Sequence, residues 1–163
     1  MANTYVAIAT VTVGSGGASS IDFSSIPSTY TDLVVKLSLR GSSGNNVLMS
    51  INSSTSNFSY RMLEGDGATA ASYNNTTGRL LYILTTTANT FSNIEVYLPN
   101  YAGATNKSYS VDAVSEANAT TAFADLTAGL WSNTSAITAL GFTITGANFV
   151  QYSTATLYGI KNS

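Results

Sequence analysis

Cysteine and histidine are both absent from this 163-residue sequence, and charge is scarce: Lys and Arg number 6 and Asp and Glu 8, which is 9% of residues and a net charge of −2. Without cysteine there is no disulfide framework, no thiolate nucleophile and no sulfur-ligated metal. Without histidine there is no Ser-His-Asp or Cys-His pair, no imidazole base near neutral pH and no ordinary zinc or haem site. Six scattered cations neutralise few phosphates, which argues against a nucleic-acid partner. Met1-Ala2-Asn3-Thr4-Tyr5 has no basic region followed by an apolar stretch, so no signal peptide is expected. No apolar run approaches ~18 residues, so no membrane span is expected either.

Neutral polar residues fill the gap: 23 Ser, 23 Thr and 15 Asn. Chains of that kind stay disordered when hydrophobicity is low and net charge high. Here 44% of residues are hydrophobic, and aromatics comprise 6 Phe, 10 Tyr and 1 Trp. A chain of this length buries roughly 70% of its unfolded surface, enough for one core without staples. The expectation is a single domain over residues 1–163.

Apolar residues recur mainly at a spacing of two, the period of half-buried strands. Thr4 to Val13 reads as a strand with Tyr5, Val11 and Val13 on one face and Val6 and Ile8 on the other. The turn Gly14-Ser15-Gly16-Gly17 follows it. Asp32 to Arg40 is the clearest strand, with Leu33, Val35, Leu37 and Leu39 sharing a face. Val47 to Ile51, Tyr60 to Glu64, Leu80 to Thr87 and Phe91 to Leu98 follow, Pro99 ending the last for want of a ladder N–H. Gly65 to Gly78 reads as a long polar loop. Lys107 to Ala117 alternates Tyr109, Val111 and Ala113 against Ser110, Asp112 and Val114. Phe123 to Trp131, Ile137 to Thr145 and Thr154 to Ile160 complete the set, and Ala117 to Leu126 reads as strand or a short helical turn. Eight or nine strands with turns between them predict an all-β, antiparallel sandwich or barrel.

Chemistry-bearing constellations are few. Glu64-Gly65-Asp66-Gly67 is an acidic turn that could seat calcium, but it offers two carboxylates and no EF-hand spacing; a solvated turn is the simpler reading. Asp112 and Glu116 share one face of a strand, and paired carboxylates can cleave glycosidic bonds, yet no supporting motif accompanies them. The Asn-x-Ser/Thr triplets starting at Asn52, Asn57, Asn75, Asn106, Asn118 and Asn133 arise by chance in such a composition. Tyrosine joins a broad apolar face to one hydroxyl and is common at recognition surfaces. Tyr73 and Tyr101 fall in predicted loops and are the candidate surface contacts; Trp131, within a strand-like run, is expected in the core. No catalytic residue, cofactor or metal is assigned.

Short hydroxylated side chains lose little rotamer entropy on burial, and low charge leaves little repulsion between copies. The composition therefore suits assembly, with the chain as its own partner. Four segments, Met1-Ala2-Asn3-Thr4-Tyr5-Val6, Ile26-Pro27-Ser28-Thr29-Tyr30-Thr31-Asp32-Leu33, Ile94-Glu95-Val96-Tyr97-Leu98-Pro99-Asn100-Tyr101 and Ser153-Thr154-Ala155-Thr156-Leu157-Tyr158-Gly159-Ile160-Lys161, resemble small structural proteins of tailed bacteriophages. The resemblance implies a jelly-roll-like β-sandwich of about eight strands, trimeric and carried on the virion. It further implies that the chain contacts the major capsid protein or other virion proteins. Its role there is either capsid decoration (a cement protein) or a tail or fibre part touching the host. The compact single-domain pattern, beginning by residue 4 and running to residue 160, favours decoration. A third class is a free carbohydrate-binding module, with Tyr73, Tyr101 and Trp131 as stacking platforms for a glycan. An enzyme ranks below all three, because nucleophile and base are lacking.

Overall fold

The computed structural model describes residues 4–82, 84–116 and 122–161. Among them are twelve strands and no helix: β1 (Tyr5–Thr12), β2 (Ser20–Phe23), β3 (Asp32–Leu39), β4 (Val47–Ile51), β5 (Phe58–Gly65), β6 (Ala70–Asn75), β7 (Arg79–Leu81), β8 (Ser92–Leu98), β9 (Lys107–Glu116), β10 (Ala122–Trp131), β11 (Leu140–Ile144) and β12 (Thr154–Ile160). They form two antiparallel sheets. The larger runs β1-β12-β3-β8-β9-β10-β5-β6 and the smaller β2-β11-β4-β7. The protein is thus an all-β, two-sheet antiparallel sandwich, with more strands than the eight or nine that periodicity predicts.

The core lies between the sheets and follows from strand parity. Leu33, Val35, Leu37 and Leu39 of β3 face inward as expected, as do Ile94, Val96 and Leu98 of β8. They meet Ile21, Met49, Ile51 and Phe142 from the smaller sheet in one continuous cluster. Fully burying one such side chain stabilises the fold by about 1.5–3 kcal/mol.

Four local readings are corrected. In β1 the register with β12 shifts between Ala7 and Ala9. This bulge reverses the parity midway, so Val6, Ile8 and Val11 are all half-buried while Tyr5 stands exposed. The predicted loop between Gly65 and Gly78 contains β6, which pairs with β5 from Tyr60↔Asn75 to Gly65↔Ala70. It is an edge strand made of Ala, Ser, Tyr and Asn, so its alternation is too weak to register as hydrophobic. Conversely, the run from Leu80 to Thr87 is strand only to Leu81, and Ile137 to Thr145 becomes strand only at Leu140. Ile137 is buried from an irregular segment, its N–H bonded to the Tyr101 carbonyl at 2.9 Å. Of Ala117 to Leu126, the part from Ala122 onward is strand; residues 117–121 lie outside the described set.

Candidate interaction surface

The two candidate contact tyrosines separate. Tyr101 is not at the surface but fully buried. The turn after Pro99 closes with a Gly103 N–H to Asn100 carbonyl bond of 3.0 Å, and Asn100 takes a left-handed φ of 49°. That reversal directs the phenol into the core, where its hydroxyl donates to the Pro27 carbonyl. Tyr73 is half-buried on β6, its ring stacked on Tyr82 with centroids 5.3 Å apart. Trp131 is buried, as its place in a strand implies.

Below Tyr73 lies a buried acid pair that sequence reading split between a solvated turn and no role at all. Asp125 of β10 sits directly across from Glu64 of β5, both facing inward and both buried. Asp125 Oδ2 accepts the Tyr82 N–H at 2.8 Å, and Glu64 Oε1 accepts the Tyr73 hydroxyl at 3.4 Å. Their remaining oxygens, Glu64 Oε2 and Asp125 Oδ1, have no hydrogen-bond partner. Arg79 of β7 is the nearby cation, its guanidinium lying 5.7 Å from the Tyr60 ring centre and 5.4 Å from that of Tyr82. Burial, and then the neighbouring Asp125, push the Glu64 carboxyl above its ordinary range; burial likewise raises Asp125. Asp66 behaves as a turn residue should. The Thr69 and Ala68 N–H groups bond its carboxylate at 2.6 and 2.9 Å and hold its pKa down. Among the described residues no three acidic side chains gather as a metal site would require.

Among the described residues, the opposite face of the larger sheet carries no second layer. One register row crosses all eight strands on that side: Thr10, Thr156, Lys36, Glu95, Asp112, Leu126, Leu63 and Ser72. It changes character along its length. The two threonine hydroxyls bond each other at 3.1 Å, Lys36 and Glu95 pair at 2.9 Å, and beyond Asp112 the row turns apolar. Leu126 and Leu63 are neighbours across β10 and β5 and expose 57% and 62% of their surface. They line a groove of about 430 Å³ together with Arg61, Ser72, Tyr73 and Ala128. Exposed aliphatic pairs on a sheet face mark contact sites more often than isolated surface leucines do. Asp112 and Glu116 stand exposed on this same outer face. Toward the other edge, Tyr97 and Tyr158 flank Val34 in register and Tyr5 meets Tyr158 edge-on at 6.1 Å.

Leu63, Leu126 and Arg61 are therefore the surface residues that sequence reading passed over. A signal was present: Met62-Leu63 and Asp125-Leu126 put an apolar residue at the outward parity beside an inward partner, where a solvent-facing strand normally places a polar one. No family model matches the chain, and comparison with curated proteins and with solved structures returns no significant match.

Proposed function

We propose that this chain is a non-enzymatic structural protein of a tailed-phage virion. It acts as a capsid decoration (cement) protein that grips its neighbours through the open face of the larger sheet. The two sheets are read as jelly-roll-like in this proposal, and the neighbours are the major capsid protein and further copies of the chain. One observation carries the reading: an eight-stranded face with no covering layer among the described residues, carrying hydroxyls, the Lys36–Glu95 pair, an exposed leucine pair and the charges of Arg61, Asp112 and Glu116. Interfaces pair an apolar centre with a polar rim, and the leucine pair with charged and hydroxyl side chains around it has that anatomy. The test is mass action. Added to undecorated capsids of the virus that encodes it, the chain raises the shell's melting temperature, because a ligand of the assembled state alone stabilises that state. No shift at saturating protein overturns the assignment.

The tail or fibre reading turns the same face toward a host surface. Tyr5, Tyr97 and Tyr158 on that face favour a second reading as a glycan-binding module, although two of the three platforms expected for it, Tyr101 and Trp131, are in the core. Binding of the isolated chain on a glycan array, lost in Tyr158→Ala, would support it.

A further inference from the structure

The groove around Leu63 and Leu126 carries its charges in a pattern that names its occupant. The leucine pair is the apolar centre. Arg61 lies on β5 one register row away, facing Ala128 of β10, and Asp112 lies on β9 in the leucine row itself. The two charges thus stand on opposite flanks of β10, two strand spacings across and one register row along, about 12 Å apart. Among the described residues each lacks an opposite charge as partner. Lys36 and Glu95 form the one ion pair among the described residues, and the Arg61 guanidinium is bonded to the Tyr60 carbonyl at 2.9 Å. A patch with an apolar centre, a cation on one flank and an anion on the other is complementary to itself after a two-fold rotation. That is the condition an isologous contact sets: residue i meets j where j meets i.

We propose that this corner, β9-β10-β5-β6, is the contact between two copies of the chain, packed face to face about a two-fold axis. The axis lies in the plane of the contact and crosses β10 obliquely between Leu126 and Ala128. It carries each Arg61 onto the flank where the other copy presents Asp112, and it sets each Leu63 against the other copy's Leu126 region. The small residues around them, Ala124, Ala128 and Ser72, let two flat sheets approach closely. A net charge of −2 leaves little long-range repulsion to overcome. The phage resemblance implies three copies; the charge pattern of this patch implies two, and it does so whether or not the virion reading holds.

The test is a charge exchange at two exposed positions, followed by sedimentation velocity from about 1 µM to about 200 µM, a span that covers Kd values of a small interface. The parent chain is expected to pass from monomer to dimer in that range. Arg61→Asp and Asp112→Arg, each placing like charges together, are expected to weaken dimerisation tenfold or more, as is Leu126→Thr. The double variant Arg61→Asp/Asp112→Arg is expected to recover to within a few-fold of the parent. Circular dichroism and melting temperature confirm that each variant is folded. A monomer throughout, a trimer, single variants that dimerise like the parent, or a double variant that stays monomeric each overturn the proposal. A monomer that still binds capsids through Leu126 would show a different occupant and also overturn it, while leaving the decoration reading intact.

Discussion

Replacing Asp125 with asparagine should make the protein more stable at neutral pH and flatten its pH dependence, leaving the part that burial of Glu64 supplies. Glu64 and Asp125 face each other across β5 and β10, and both carboxyls sit above their ordinary range because burial disfavours the charged form. A raised carboxyl holds its proton more tightly folded than unfolded. The stability it contributes is complete below the unfolded value of about 4 and is lost as pH rises through the folded one. Each extra proton held by the folded chain changes stability by about 1.4 kcal/mol per pH unit. In a domain of this size that moves Tm by about 3–5 °C per pH unit. The chain has no histidine and no cysteine, so few other side chains titrate just above the ordinary carboxylate range. Scanning fluorimetry from pH 4.5 to 8 should show Tm highest at the acid end and lower at neutral pH. Asp125→Asn keeps an acceptor for the Tyr82 N–H, relieves Glu64 of its nearest like charge, and should join the parent curve at the acid end while lying above it at neutral pH. The Asp66 turn works in the opposite sense and lower down: its depressed pKa gives stability that is lost only on acidification below about 4. A parent curve that is flat or rises with pH, or a variant less stable throughout, would refute the argument.

Three further substitutions probe the core. Gly129 lies across from Tyr109, and a Cβ there would fall 2.0–2.4 Å from that ring, so Gly129→Ala should cost about 1–3 kcal/mol in urea unfolding by displacing it; a change below about 0.5 kcal/mol would contradict this packing. The Tyr109 hydroxyl is buried without a partner, and Tyr109→Phe should gain about 1 kcal/mol, a loss instead disproving the orphan assignment. Lys107 is buried at the start of β9 with its ammonium among the carbonyls of Gly103, Thr105 and Thr134. Lys107→Met orphans those carbonyls and should lower stability by about 3 kcal/mol or more, read from the denaturation midpoint; retention of parent stability would deny the cap its role.

Long central strands were legible because one face packs on the core and the other is open: β8 and β9 are buried on alternating positions over their full length and β3 from Val35 onward, and their sequences alternate accordingly. β2 and β6 were not, since a four-residue strand and a polar edge strand carry too few apolar positions to set a period. Register was also hidden. The acid pair exists because β5 and β10 align Glu64 with Asp125, residues 61 positions apart in sequence, and no local pattern encodes that alignment. The same alignment brings Leu63 to Leu126 on the other side. Tyr101 was misplaced for a different reason: Pro99-Asn100 correctly announces a turn, but a turn fixes the path of the backbone and leaves open whether the next side chain points outward or home.

The position of β12 has a consequence in time. It is the last strand in the chain, yet it lies between β1, the first, and β3. During synthesis the valine- and leucine-rich flank of β3 must wait as an open ladder, and β1 has no neighbour to zip onto, until residues 154–160 emerge. Closure of the larger sheet therefore waits for residues 154–160 and depends on a pairing between strands about 150 residues apart, the kind of long loop that slows folding and exposes sticky intermediates. A nascent chain stalled before Thr154 should call on chaperones that the finished protein no longer needs.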